Sequence, residues 1–227
     1  MPVVIVGTGR SGTTMAVEIL RCSSLLVASD DTEDSGLFER CDLVCSNYLT
    51  KCDTSYINDK NKIRAFFDKN ISTKFVWCIR DPRDMALSKI FRGQPGQDSI
   101  GLCKDATQET CLDHINYMFD LYKYTAKNFN NDIMVLRMED VILDFDNVVY
   151  KLCDFVKILF DEKMRQFYLN YRVIPKKERY KSIDQSQVGM WKNWQSVYNG
   201  FFNNNPNYDI SKLFKELEPV CKEFGYV

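Results

Sequence analysis

No stretch of this 227-residue sequence approaches the roughly 18 consecutive apolar residues that a membrane-spanning helix needs. The first residues carry no basic segment followed by an apolar core and a cleavage site, so no secretory presequence is expected. Together these absences predict a soluble, cytoplasmic protein. Excess positive charge is also missing: 30 lysines and arginines face 31 aspartates and glutamates, a formal net charge of −1. Bulk-charge binding to nucleic acid is therefore not expected, although a local basic pocket remains open. There is one histidine, His114. The nine cysteines are scattered, and their one cluster, Cys41, Cys45 and Cys52, lacks the paired spacing of a zinc site. Reduced thiols and no metal are expected. No internal repeat or low-complexity tract divides the chain.

What is present is an ordinary globular mixture, 45% hydrophobic and 27% charged, enough to build a sizeable core. The length suits one α/β domain, taken as residues 1–227. Residues 3–6 are apolar throughout, as a central parallel strand should be. A glycine-rich turn and a helix start follow. Further strands are expected at 25–28, 74–79 and 132–137. Helices are expected at 37–49, 61–69, 82–91, 107–129, 145–158, 161–170 and 209–224. Strands alternating with helices predict a three-layer α/β/α fold with a central parallel sheet covered on both faces.

The turn carries the first chemistry. Gly7 and Gly12 occupy the outer glycine positions of a phosphate-binding P-loop, but the next residue is Thr13 rather than lysine. In nucleotide-hydrolysing P-loops that lysine reaches the β- and γ-phosphates. Backbone N–H groups from Gly9 to Thr14, at a helix start, form an anion cradle. Ser11 lies within it, Thr13 and Thr14 add hydroxyls, and Arg10 can place a guanidinium on a phosphate or transferring group. A bare strand-to-helix turn is the competing explanation.

A second anion site is expected at the carboxyl end of the 74–79 strand, where open α/β sheets bind ligands. Arg80 sits at that end and Ser88 two helical turns on. A surface salt-bridge cluster of Arg80, Asp81, Arg83 and Asp84 would explain the same residues without a ligand. The later segment 181–192 offers Lys181, Ser182, Lys192 and backbone amides to close over a nucleotide; packing under the last helix is the plainer role for Trp191 and Trp194.

Together these segments resemble the sulfotransferase superfamily. Val4-Ile-Val-Gly-Thr-Gly-Arg-Ser-Gly-Thr-Thr14 is similar to the family's 5′-phosphosulfate loop. Cys78-Ile-Arg-Asp-Pro-Arg-Asp-Met-Ala-Leu-Ser88 is similar to its 3′-phosphate motif. Val135-Leu-Arg-Met-Glu-Asp-Val141 with Leu152-Cys-Asp-Phe-Val156 resembles a block beyond the site, and Gly189-Met-Trp-Lys192 the late closing motif. The resemblance implies a P-loop nucleoside triphosphate hydrolase-like fold. It also implies a donor, 3′-phosphoadenosine 5′-phosphosulfate, leaving as adenosine 3′,5′-bisphosphate. It places Gly9, Arg10, Ser11, Gly12, Thr13, Thr14, Arg80, Ser88, Ser182, Gly189, Trp191 and Lys192 on that donor, with Arg10 stabilising the transferring group. Ser29-Asp-Asp-Thr-Glu33 resembles a stretch of tyrosylprotein sulfotransferases, which implies Asp31 as the general base. His114 follows the 3′-phosphate motif rather than preceding it, and a structural role is expected. The acceptor, a small molecule, glycan or peptide, stays open, as does the oligomeric state. A P-loop kinase and a non-catalytic nucleotide-binding protein are the alternatives.

Overall fold

A computed structural model describes residues 1–28, 34–40, 43, 45–57, 59–92, 107–129, 132–169, 185–198 and 200–226. In chain order the elements are β1 (Val3–Gly7), α1 (Thr13–Arg21), β2 (Val27–Ala28), α2 (Leu37–Arg40), β3 (Tyr48–Asp53), α3 (Lys60–Lys69), β4 (Lys74–Ile79) and α4 (Pro82–Arg92). There follow α5 (Gln108–Phe129), β5 (Ile133–Arg137), α6 (Met138–Leu143), α7 (Phe145–Phe155), α8 (Trp194–Val197) and α9 (Ile210–Glu223). Short 3₁₀ helices cover Thr54–Tyr56, Glu162–Leu169, Gln185–Gln187 and Met190–Asn193.

The five strands form one parallel sheet in the order β2-β3-β1-β4-β5. β1 lies at its centre, fully covered. Successive side chains of a strand point to opposite faces, and the core divides accordingly. Val3 and Ile5 pack with α1 and α7 residues such as Ile19 and Leu152. Val4 and Val6 pack on the other face with Phe66, Trp77, Ile115 and Leu217. Burying each such side chain is worth about 1.5–3 kcal/mol, so both faces of β1 are committed to helices and its carboxyl end alone opens outward. This is the three-layer arrangement expected from the strand–helix alternation.

One expected element is different. The helix foreseen over 37–49 ends at Arg40, and Tyr48–Asp53 is a strand inserted between β1 and β2. Its residues show neither strict alternation nor a continuous apolar run, because Thr50, Lys51 and Asp53 interrupt Tyr48, Leu49 and Cys52. Pairing with β1, from Val3 opposite Leu49 to Gly7 opposite Asp53, decides the matter. The strand foreseen at 25–28 shortens to Val27–Ala28 at the sheet edge. Within the expected helix 161–170, Glu162–Leu169 is 3₁₀ rather than α-helical. Elsewhere local signals suffice. Pro82 opens α4, where its missing N–H costs nothing. Asp59 and Asp209 cap α3 and α9 by accepting the N–H groups of Asn61 and Lys212.

Among the described residues no helix is long and apolar enough to cross a membrane. Among the described residues, Cys45, Cys78, Cys153 and Cys221 are free thiols.

Candidate active site

The loop between β1 and α1 is shaped by close approach. A Cβ on Gly7 would fall 2.4 Å from the Ser11 hydroxyl and 2.8 Å from the Cys78 carbonyl oxygen of β4. Only glycine lets the strand end pass its neighbour. Arg10 (φ 76°) and Gly12 (φ 97°) both adopt left-handed backbone, which costs a non-glycine residue free energy and is characteristic of ligand-binding loops. Buried Ser11 closes the turn: its N–H and its hydroxyl both donate to the Thr8 carbonyl, at 3.1 and 2.7 Å. Its hydroxyl thus shapes the loop from within.

Three cationic side chains from three elements converge on the loop's hydroxyl groups and on Ser88. Arg10 donates through Nε to the Ser88 hydroxyl at 2.9 Å, joining the two segments expected to hold the two ends of one nucleotide. Lys51 of β3 donates to the Thr14 hydroxyl at 2.9 Å. Lys89 of α4, buried, donates to the Thr8 hydroxyl at 2.8 Å. The positive charge missing at Thr13 is supplied from neighbouring elements. Neither lysine was foreseen. Lys89 directly follows Ser88 and could have been noticed; Lys51 could not, because its strand was not recognised.

The second site is buried, so the surface-cluster explanation is set aside. Arg80 is 3% exposed and Asp84 fully buried. The Arg80 Nη2 donates to the Gln187 carbonyl at 2.7 Å and approaches the Met190 sulfur at 3.2 Å and Asp84 at 3.7 Å. Its Nε is buried without a hydrogen-bond partner, an arrangement that native structures seldom leave without a function. Asp84 also accepts the N–H groups of Gly189 (3.1 Å) and Trp191 (2.7 Å). Burial raises its carboxyl above the ordinary range despite the nearby Arg80. One buried carboxylate therefore fastens the closing segment over the arginine.

Gly189 adopts left-handed backbone, with φ 68°. Trp191 is wedged between the Arg83 guanidinium, 3.6 Å above its ring, and Phe214 of α9. Arg83 is itself held by two hydrogen bonds to Asp81. Trp191 thus packs under the last helix. Exposed Lys192 lies 5.7 Å from its ring centroid. The β5–α6 block braces the site: Glu139 accepts the Asp81 N–H at 2.8 Å and the Tyr226 hydroxyl at 3.3 Å. Burial raises its carboxyl as well.

Asp31 and Ser182 lie outside the described residues. His114 is half-buried on α5. Burial and then the Lys89 ammonium push its imidazole below the ordinary value, while Asp53 and Asp113 pull the other way. Gly9 through Thr14, Arg10 with Ser88, and Arg80 with Gly189 all gather at the carboxyl ends of β1 and β4. Among the described residues no group of three or more His, Cys, Asp or Glu side chains is placed to hold a metal ion.

The fold is a P-loop-like α/β sheet whose loop carries threonine rather than lysine at position 13. The family follows from comparison. The sulfotransferase domain model matches residues 1–197, and the chain belongs to that family. It is an enzyme of sulfuryl transfer. No curated protein sequence matches it. Among solved structures, the sulfotransferase domain from the curacin biosynthetic pathway superposes with a TM-score of 0.72 at 15% identity, covering 100% of this chain and 99% of that one. The sulfotransferase domain of the Synechococcus PCC 7002 olefin synthase gives 0.63 at 15% identity, over 84% and 86% of the two chains. Mouse sulfotransferase SULT7A1 complexed with PAP gives 0.56 at 14% identity, over 95% and 88%.

Proposed function

We propose that residues 1–227 form one sulfotransferase domain that uses 3′-phosphoadenosine 5′-phosphosulfate. The observation that carries this is the pair of anion sites joined by the Arg10–Ser88 hydrogen bond. The residues fit the donor: the partnerless Nε of Arg80 suits the 3′-phosphate, and the loop ringed by Arg10, Lys51 and Lys89 suits the 5′-phosphosulfate. When bound, the donor supplies an activated sulfuryl group. The chain orients it, excludes water beneath the Gly189–Trp191 segment, and meets growing negative charge with cations already in place. Thr13 and Thr14 contribute hydroxyls to the 5′ end, and Ser182 and Lys192 close the nucleotide side. SULT7A1 and retinol dehydratase, both solved with PAP, support the choice of nucleotide.

The acceptor offers a hydroxyl or an amine. Similarity of Ser29-Asp-Asp-Thr-Glu33 to tyrosylprotein sulfotransferases assigns its proton to Asp31. A thermal-shift panel tests the donor: stabilisation by adenosine 3′,5′-bisphosphate and not by ATP or GTP is expected. Stabilisation by ATP alone would overturn the reading. A labelled-sulfate screen over phenols, alcohols, amines and glycans then identifies the acceptor class.

A further inference from the structure

The turn that ends α9 reaches back to the 3′-phosphate motif. Gly225 has left-handed backbone, φ 73°, and two hydrogen bonds close the helix there. The Tyr226 N–H donates to the Cys221 carbonyl at 2.7 Å and the Gly225 N–H to the Lys222 carbonyl at 3.2 Å. Tyr226 is thereby turned inward and buried. Arg137, at the end of β5, fixes it: its guanidinium donates to the Phe224 carbonyl and lies 4.9 Å from the Tyr226 ring centroid. Both polar ends of Tyr226 then meet the motif. Its hydroxyl donates to Glu139, whose other oxygen accepts the Asp81 N–H. Its carbonyl accepts the Arg83 Nη2 at 3.2 Å. That nitrogen also donates to Asp81 at 2.7 Å, and the guanidinium carbon stands 3.6 Å over the Trp191 ring. Trp191 belongs to the closing segment, whose Gln187 carbonyl rests on Arg80 and whose Gly189 and Trp191 N–H groups rest on Asp84. The segment is thus gripped from one side by Arg80 and Asp84 and from the other by Arg83.

We propose that Tyr226 is a positioning residue for the donor: its carbonyl holds Arg83 against Trp191, and Arg83 so held keeps segment 187–191 seated over Arg80. The inference rests on the donor reading above. It extends the nucleotide site to a turn beyond residues 1–197, the span of the family model. The side chain of Tyr226 is the anchor and its carbonyl the contact. A guanidinium has a planar fork of donors, so two acceptors on its edge fix the plane that it presents to a ring. With the carbonyl gone, Asp81 alone holds Arg83, which is then free to rotate away from Trp191. A loosened Trp191 withdraws its N–H from Asp84, and the orientation of Arg80 is no longer set in advance. Binding of a 3′-phosphate must then order the segment, a cost that the intact turn has already met. Arg80 and Arg10 belong to separate anion sites, so the effect falls on donor affinity and not on transfer.

Point variants of the full chain test this with three measurements. Nucleotide affinity is measured by calorimetry. Release of labelled sulfate from 3′-phosphoadenosine 5′-phosphosulfate is followed with water as the acceptor. Amide exchange without ligand is read by mass spectrometry over 187–191 and over β1. Tyr226→Ala should weaken adenosine 3′,5′-bisphosphate about 10-fold and raise the donor KM to match, with kcat little changed. Adenosine 5′-phosphosulfate, which lacks the 3′-phosphate, should change by no more than about 3-fold. Tyr226→Phe keeps the anchoring ring and should stay within about 3-fold of the unmodified protein. Added to Arg83→Met, Tyr226→Ala should bring no further loss, because the two act in series. Amides of 187–191 should exchange faster in Tyr226→Ala while those of β1 stay protected. Equal loss of both nucleotides, losses that multiply in the double variant, or unchanged exchange over 187–191 would overturn the role. Tyr226→Phe as weak as Tyr226→Ala would overturn the carbonyl route. Should the unmodified protein fail to bind bisphosphate, the donor reading falls, while the exchange comparison still decides whether Tyr226 holds the segment.

Discussion

Removing the Asp84 carboxylate tests the link between the two halves of the nucleotide site. In Asp84→Ala the Arg80 guanidinium stays buried without its counter-charge, and the N–H groups of Gly189 and Trp191 lose their acceptor. Stripping one partner from a buried pair costs about 3–5 kcal/mol, a large share of the roughly 5–15 kcal/mol that holds a domain together. At roughly 2–4 °C per kcal/mol for a chain of this size, melting should fall by about 6–20 °C. Asp84→Asn keeps an amide oxygen for one N–H and should lose only about 1–2 kcal/mol. The same carboxyl predicts a pH effect. Burial raises it above its ordinary 3.8, so in the fold the ionised form is the disfavoured one. Its cost is fully present at neutral pH and is relieved as pH falls through the raised value toward 3.8. Stability of the unmodified protein should therefore gain from this group over that window. Asp84→Asn should lose part of the gain, while Glu139, raised in the same direction, retains the rest. Urea unfolding followed by circular dichroism between neutral pH and 3.8 measures both effects. An Asp84→Ala protein within about 1 kcal/mol of the unmodified one would refute the argument, because the buried pair would then carry no weight.

Three further outcomes follow from the site. Arg80→Ala should weaken adenosine 3′,5′-bisphosphate about 10-fold or more while sparing adenosine 5′-phosphosulfate, which lacks the 3′-phosphate; calorimetry showing equal losses would exclude that role. Arg10→Ala should reduce sulfate release about 100- to 1,000-fold with bisphosphate binding largely kept, and normal turnover would remove Arg10 from the reaction. Gly7→Ala forces a Cβ against the Cys78 carbonyl, at a cost of about 1–3 kcal/mol; a melting curve and bisphosphate affinity both unchanged would show that the strand can shift.

Local strings of the sequence determine much of this protein. Residues 3–14 specify strand, loop and helix start, because a continuous apolar run, two glycines at fixed spacing and a helix-forming tail need no distant partner to be recognised. Lys74 to Ser88 do the same for β4 and α4, with Pro82 marking the helix start. Arg10, Arg80 and Ser88 stood out as candidate anion ligands for that reason, and the loop without a lysine pointed away from a kinase before any fold was seen. Tertiary structure alone decided the rest. β3 exists as a strand because β1 pairs with it across more than forty residues of chain; its polar residues hid it from any test of apolar periodicity. Once it is in place, Lys51 reaches Thr14 and Asp53 stands opposite Gly7. Lys89 comes to Thr8 from a sequence distance of 81 residues. The sheet edge gathers these groups because parallel strands end together there, and only the folded order of strands determines which side chains arrive.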